Sequence, residues 1–62
     1  MSKYIIKNIK YNNYFQKELT HGFHWVLDMR EAYIFENKNE ANKAHKKMKN
    51  LRQYENLKIE KL

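Results

Sequence analysis

The residues with the most chemical potential in this chain are its three histidines, of which His21 and His24 lie three positions apart and His45 follows further along. Closely spaced imidazoles are a common start for a zinc site, which needs three or four N, O or S ligands converging on one point. The spacing here works against convergence. In an extended segment residues i and i+3 project to opposite faces, and no Asp or Glu near them completes a recognisable motif. His21 reads instead as a surface or turn residue and His45 as a solvated position on a helix. Nucleophilic chemistry has poorer material still: there is no cysteine, and the only hydroxyl nucleophiles are Ser2, close to the chain end, and Thr20. Asp28 and Glu31, like Glu36 and Glu40, sit where helix starts favour carboxylates, and one glycine cannot build a phosphate-cradling loop. The expectation is a protein that is not an enzyme and uses no metal and no cofactor.

The elements that would position any site follow from periodicity. Lys3 to Ile9 has strand composition, and Tyr14 to Leu19 alternates Phe15, Lys17 and Leu19 against Tyr14, Gln16 and Glu18. Asn12 and Asn13 between them suit a hairpin turn, because asparagine tolerates positive φ and bonds locally to its own backbone. The only glycine marks a second reversal at Thr20, His21 and Gly22. Phe23 to Asp28 then reads as a third strand, with Phe23, Trp25 and Leu27 on the face turned to the core. Asp28 to Ala32 suits one helical turn opened by Asp28 and Glu31, and Tyr33 to Glu36 suits a fourth short strand or the lead into a helix. Asn37 with Glu40 forms the next cap. Ala41, Ala44, Met48 and Leu51 recur at helical spacing, which predicts a helix from about Lys38 to Gln53, and Leu57 with Ile59 marks a last strand beside the first. The expected fold is α+β, a single domain over residues 1–62: an antiparallel sheet of about four strands with one helix packed on one face, ordered ββββαβ, or βββαβ if Tyr33 to Glu36 merges with its neighbour. Trp25 and Phe35 are the expected centre of the core.

Size and charge narrow the function classes. At 62 residues, with no proline and no cysteine, a folded chain buries only roughly 60% of the surface its unfolded form exposes, which leaves little room for a deep catalytic cleft. No stretch approaches the roughly 18 apolar residues of a membrane span, and the N-terminus alternates lysine with isoleucine where an export signal would be continuously apolar. A cytoplasmic protein with no membrane contact is expected. An apolar fraction of 42% argues for a folded chain despite a net charge of +6.

Much of that charge sits in one place. Residues 38–52 carry Lys38, Lys43, Lys46, Lys47, Lys49 and Arg52 against Glu40 alone. On a helix, Lys43, Lys46, Lys47 and Lys49 occupy the arc away from the alanine and methionine stripe, and together with Arg52 they form a basic face able to track phosphates. Lysine is also an ordinary solvated helix residue. The chain holds only two arginines, the residue that specific base readers favour, and its eight asparagines share lysine's A- and T-rich codons. The other surplus is aromatic: nine rings, more than so small a core can hold. Tyr11, Tyr14 and Tyr33, with Tyr4 behind them, are the candidates for an exposed partner-binding patch on the open face or edge of the sheet. An open edge near Tyr11 to Phe15 or Leu57 to Leu62 is expected to admit another strand, a second copy of the chain included.

The stretch from Trp25 to Ala41, W-V-x-D-x-x-x-A-Y-x-F-x-x-x-x-E-A, with the KYIIK strand before it, resembles small proteins encoded by phages and mobile elements of low-GC Gram-positive bacteria. The resemblance covers about a third of the chain and is a packing signature without catalytic content. It implies a sheet carrying one helix, with the Trp and Phe beneath it. It also implies a role common among phage products of this size: stoichiometric binding and blocking of one host protein, such as a defence or DNA-processing enzyme. The expected partner is therefore a host protein, with nucleic acid bound through the lysine-rich face as the alternative.

Overall fold

β-Branched and aromatic residues crowd the first part of the chain, and in the computed structural model they form three consecutive antiparallel strands, β1 (Tyr4–Asn8), β2 (Asn13–Leu19) and β3 (Gly22–Val26). A 3₁₀ turn at Met29–Glu31 precedes the helix α1 (Lys38–Lys47), and a second at Tyr54–Asn56 leads into β4 (Leu57–Lys61). The structure describes residues 2–52 and 54–62. The four strands lie in the order β3-β2-β1-β4 with antiparallel neighbours throughout. This is the expected α+β architecture in its shorter order, βββαβ.

Local hydrogen bonds explain where the elements begin and turn. Asn8, only 3% exposed, accepts from the backbone N–H groups of Lys10 and Tyr11 at 2.9 and 3.2 Å and so starts the β1–β2 reversal, which Asn12 completes at φ 56°. The second hairpin turns through Thr20 and His21 between the paired Leu19 and Gly22, and Gly22 has a φ of 147° that side chains rarely adopt. Asp28 accepts from the N–H of Arg30 at 2.9 Å, and Asn37 accepts from the N–H of Glu40 at 2.9 Å, capping α1.

The first hairpin is short because another segment takes its place. β1 and β2 pair only at Lys7 with Tyr14 and Asn8 with Asn13. Past that point an irregularity between Phe15 and Lys17 shifts the β2–β3 register, and residues 33–35 bridge the strands. Tyr4 and Phe35 exchange reciprocal backbone bonds of 3.0 and 2.7 Å, and the Tyr33 N–H donates to the Phe15 carbonyl at 2.9 Å. The stretch anticipated as a fourth strand is thus a single bridge inside the sheet, and β2, with partners on both sides, offers no open edge at Tyr11 to Phe15. The open edges are β3 and β4.

Beneath α1 the core gathers Ile6, Phe15, Phe35, Ala41, Met48 and Leu57. The helix contacts β1 and β4, so β3 lies to one side, and Trp25 is only partly buried against the core's margin. Phe35 keeps its expected central place; Trp25 does not. Leu27, expected on the core face, is 80% exposed, because β3 ends at Val26 and the chain turns into the 3₁₀ segment. Tyr4 packs against the core instead of lining an open face. The helix is also shorter than its apolar stripe: from Met48 the bonds contract to three-residue spacing, Met48 N–H to the His45 carbonyl and Leu51 N–H to the Met48 carbonyl. The chain must turn there to bring Asn56 beside Ile9, whose N–H it accepts at 2.9 Å. Gln53, the expected last helical residue, lies outside the described residues.

These placements predict unequal sensitivities in urea denaturation. Met48→Ala should cost about 2–5 kcal/mol, a large share of the stability of so small a domain. Trp25→Ala should cost less than the about 3–5 kcal/mol of a fully buried ring, and Leu27→Ser should stay within about 0.5 kcal/mol. Comparable losses at Leu27 and Met48 would contradict the assigned core.

Candidate functional site

Phe15 is the hub of an aromatic cluster, its ring centroid 5.9 Å from Phe23, 6.1 Å from Trp25, 6.2 Å from Tyr33 and 6.0 Å from Phe35. Alternation places all five rings on the helix side of the sheet. Because α1 packs over β1 and β4, the rings on the β2–β3 side are incompletely covered. The result is a groove of about 410 Å³ between α1 and the β2–β3 hairpin. Its floor is Phe15, Phe23, Tyr33, Phe35 and Ala44, and its rim is charged, with Lys17, Lys43 and Lys47 against Glu18 and Glu40. Lys47 Nζ lies 3.8 Å from Glu18 Oε1, linking helix and hairpin across the rim. Both groups are well exposed, so the pair adds little stability and can open to an entering group.

The three tyrosines expected to form one patch are dispersed. Tyr33, 49% exposed, stands in the groove with its ring 4.8 Å from Phe35. Tyr11, 54% exposed, belongs to the β1–β2 loop and lines a smaller cleft of about 260 Å³ with Asn8, Asn13, Trp25, Leu51 and Arg52. Tyr14, adjacent to Phe15 in β2, faces the opposite side of the sheet, where Lys7 Nζ lies 5.7 Å from its ring centre.

The basic face is likewise divided. Lys43 and Lys47 turn to the groove, Arg52 to the smaller cleft, and Lys46 and Lys49 to solvent. Two carboxylates therefore lie among the helix cations that sequence spacing had presented as one uniform face. The groove itself was hidden from that reading. Phe15, Phe23 and the Tyr33–Phe35 pair come from three separate segments, and their only shared signal was the excess of aromatic residues over what the core can hold.

His45 is not the solvated residue its spacing suggested. It faces β4 from the other flank of α1, with its ring 4.6 Å from that of Tyr54 and its Nδ1 3.5 Å from the tyrosine hydroxyl. Burial disfavours the imidazolium and lowers its pKa; the Leu57 backbone opposes this, and the Lys58 charge adds to it. At the exposed end of β3 the Arg30 guanidinium, 3.1 Å from Asp28, holds that carboxyl below the usual range. Among the described residues no three His, Asp or Glu side chains come together as a metal site, and no helix is long and apolar enough to cross a membrane. Comparison with family models, curated proteins and solved structures finds no match for this chain.

The His45 environment gives a pH prediction. With its folded-state pKa below the ordinary value, the unfolded chain binds more protons as pH falls below about 6.5. Stability from neutral His45 is complete above that pH and is lost below it, so the melting temperature should drop between about pH 7.5 and 5.5. His45→Phe, which keeps a ring against Tyr54, should flatten this dependence. An unchanged slope would place the titration elsewhere.

Proposed function

We propose that this protein is a non-enzymatic binding protein that holds one partner protein in a fixed ratio, in the manner of small phage products that block a host protein. The observation that carries this reading is the groove: a wall of aromatic rings left open beside a helix, with a charged rim, is the arrangement by which protein interfaces seat one apolar anchor and exclude water around it. Three cations against two carboxylates on the rim favour an anchor flanked by acidic residues. The Trp25 to Ala41 resemblance supports a phage or mobile-element origin, and with it a host enzyme of defence or DNA processing as the target.

The alternative is nucleic-acid binding through Lys43, Lys46, Lys47, Lys49 and Arg52, favoured by the exposure of all five. The two readings separate cleanly. With the protein as bait in a lysate of a low-GC Gram-positive host, the protein-binding reading predicts recovery of one partner in constant ratio, surviving nuclease. Tyr33→Arg should abolish recovery and Lys49→Ala should leave it intact. Labelled DNA and RNA titrated at about 50 and 200 mM salt should show no tight binding. Submicromolar, salt-steep binding weakened alike by each Lys→Ala change would overturn the proposal in favour of nucleic acid.

A further inference from the structure

In the β1–β4 ladder Asn8 stands opposite Leu57 and Tyr4 opposite Lys61. At its two ends Ile9 N–H donates to the Asn56 carbonyl and Leu62 N–H to the Lys3 carbonyl. Antiparallel ladders alternate the residues that bond across a given edge, so Lys58 and Glu60 turn their backbone groups toward β1, while Leu57, Ile59 and Lys61 turn theirs outward. β4 is the last strand of the sheet. The Leu57 backbone is already engaged by His45; the outward N–H and C=O groups of Ile59 and Lys61 are the kind of open row that another strand completes.

We propose that this edge is a homodimer interface, in which β4 of one copy pairs antiparallel with β4 of a second copy about a two-fold axis at Ile59. Outward-facing Ile59 allows a hydrogen-bonded pair with Ile59 of the second copy, flanked by Leu57 against Lys61. Between these, Lys58 falls directly opposite Glu60 of the second copy, twice by symmetry. These are non-hydrogen-bonded positions, where side chains approach closest and unlike charges stabilise a sheet. A two-fold at Lys58 or Glu60 would instead set like charges face to face, and a two-fold at Leu57 or Lys61 would leave almost no ladder. The full five-residue strand and the favourable charge pattern thus select the same register.

The side chains within one copy fit this reading. Lys58 stands opposite Lys7 in the chain's own sheet, a like-charge pair that destabilises cross-strand contact, and neither Lys58 nor Glu60 belongs to an ion pair among the described residues. Glu60 of a second copy supplies the missing carboxylate. Lysines on an edge strand ordinarily discourage pairing; here the sequence Lys58-Ile59-Glu60 discourages every symmetric register except the one centred on Ile59. The dimer joins two four-stranded sheets into one, with both helices on the same face and both grooves away from the join, because the groove lies on the β2–β3 side. The proposal is independent of what the groove binds.

Charge reversal tests the register. At about 150 mM salt, where long-range repulsion between two copies of net charge +6 is largely screened, the parent should dimerise with rising concentration in light scattering or sedimentation. K58E and E60K should each weaken association by about tenfold or more. An equimolar mixture of the two should associate again, because each reversed residue then meets its complement, and the double variant K58E/E60K should associate as the parent does. H24K, on the opposite open edge at β3, should have no effect. A parent that stays monomeric at about 1 mM, where even weak association registers, would overturn the proposal. So would a dimer indifferent to K58E and E60K or disrupted by H24K.

Discussion

The reciprocal backbone bonds between Tyr4 and Phe35 determine where most of the chain lies. They hold residues 33–35 in the opening between β1 and β2, satisfying backbone groups that the short first hairpin leaves without a ladder partner. Phe35 is thereby fixed in the core, stacked on Phe15 at 6.0 Å, and Asn37, two residues on, caps α1 above the sheet. Met48 and Ala41 then meet Ile6 and Leu57 because the helix starts where this bridge puts it.

The same constraint shapes the groove. A helix launched beside β1 runs over β1 and β4, and its width cannot also cover β2 and β3. Ala44 marks the flank where coverage stops, with the rings of Phe15, Phe23 and Tyr33 beyond it. A domain of this size has little buried surface to spare, so aromatic area left open beside a helix is a costly feature unless a partner covers it. Charged side chains ring that surface. On this account the lysines of α1 serve two purposes: Lys43 and Lys47 border the groove, while Lys46 and Lys49 solvate the outer face.

Much of the fold was legible because local chemistry and tertiary structure agree. The Asn37–Glu40 cap, the Ala41, Ala44 and Met48 stripe, the Gly22 reversal and the pairing of the last strand with the first all rest on short-range rules. What was hidden depends on lateral position. Alternation marks Leu27 as inward but cannot say that β3 ends one residue earlier; helical spacing continues to Leu51 although the chain must already turn at Met48. Periodicity gives the face a helix buries, yet not which strands it lies over, and that choice decides that Trp25 is marginal, that His45 meets Tyr54 and that a groove exists at all. The tyrosines show the same limit. Tyr11, Tyr14 and Tyr33 are alike by exposure-prone type and fall in three places: Tyr11 in the β1–β2 loop, Tyr33 in the bridging segment, and Tyr14 on the far face of the sheet, one residue's step along β2 from Phe15.

Native-state hydrogen exchange of the Tyr4, Tyr33 and Phe35 amides tests the central claim, that residues 33–35 complete the sheet and anchor both helix and groove. If they do, these three amides are protected to the same degree as those of β1 and open only with global unfolding. Exchange of Tyr33 and Phe35 at the rate of the exposed β2–β3 turn, while β1 stays protected, would contradict it, and the groove would lose the wall on which its proposed function rests.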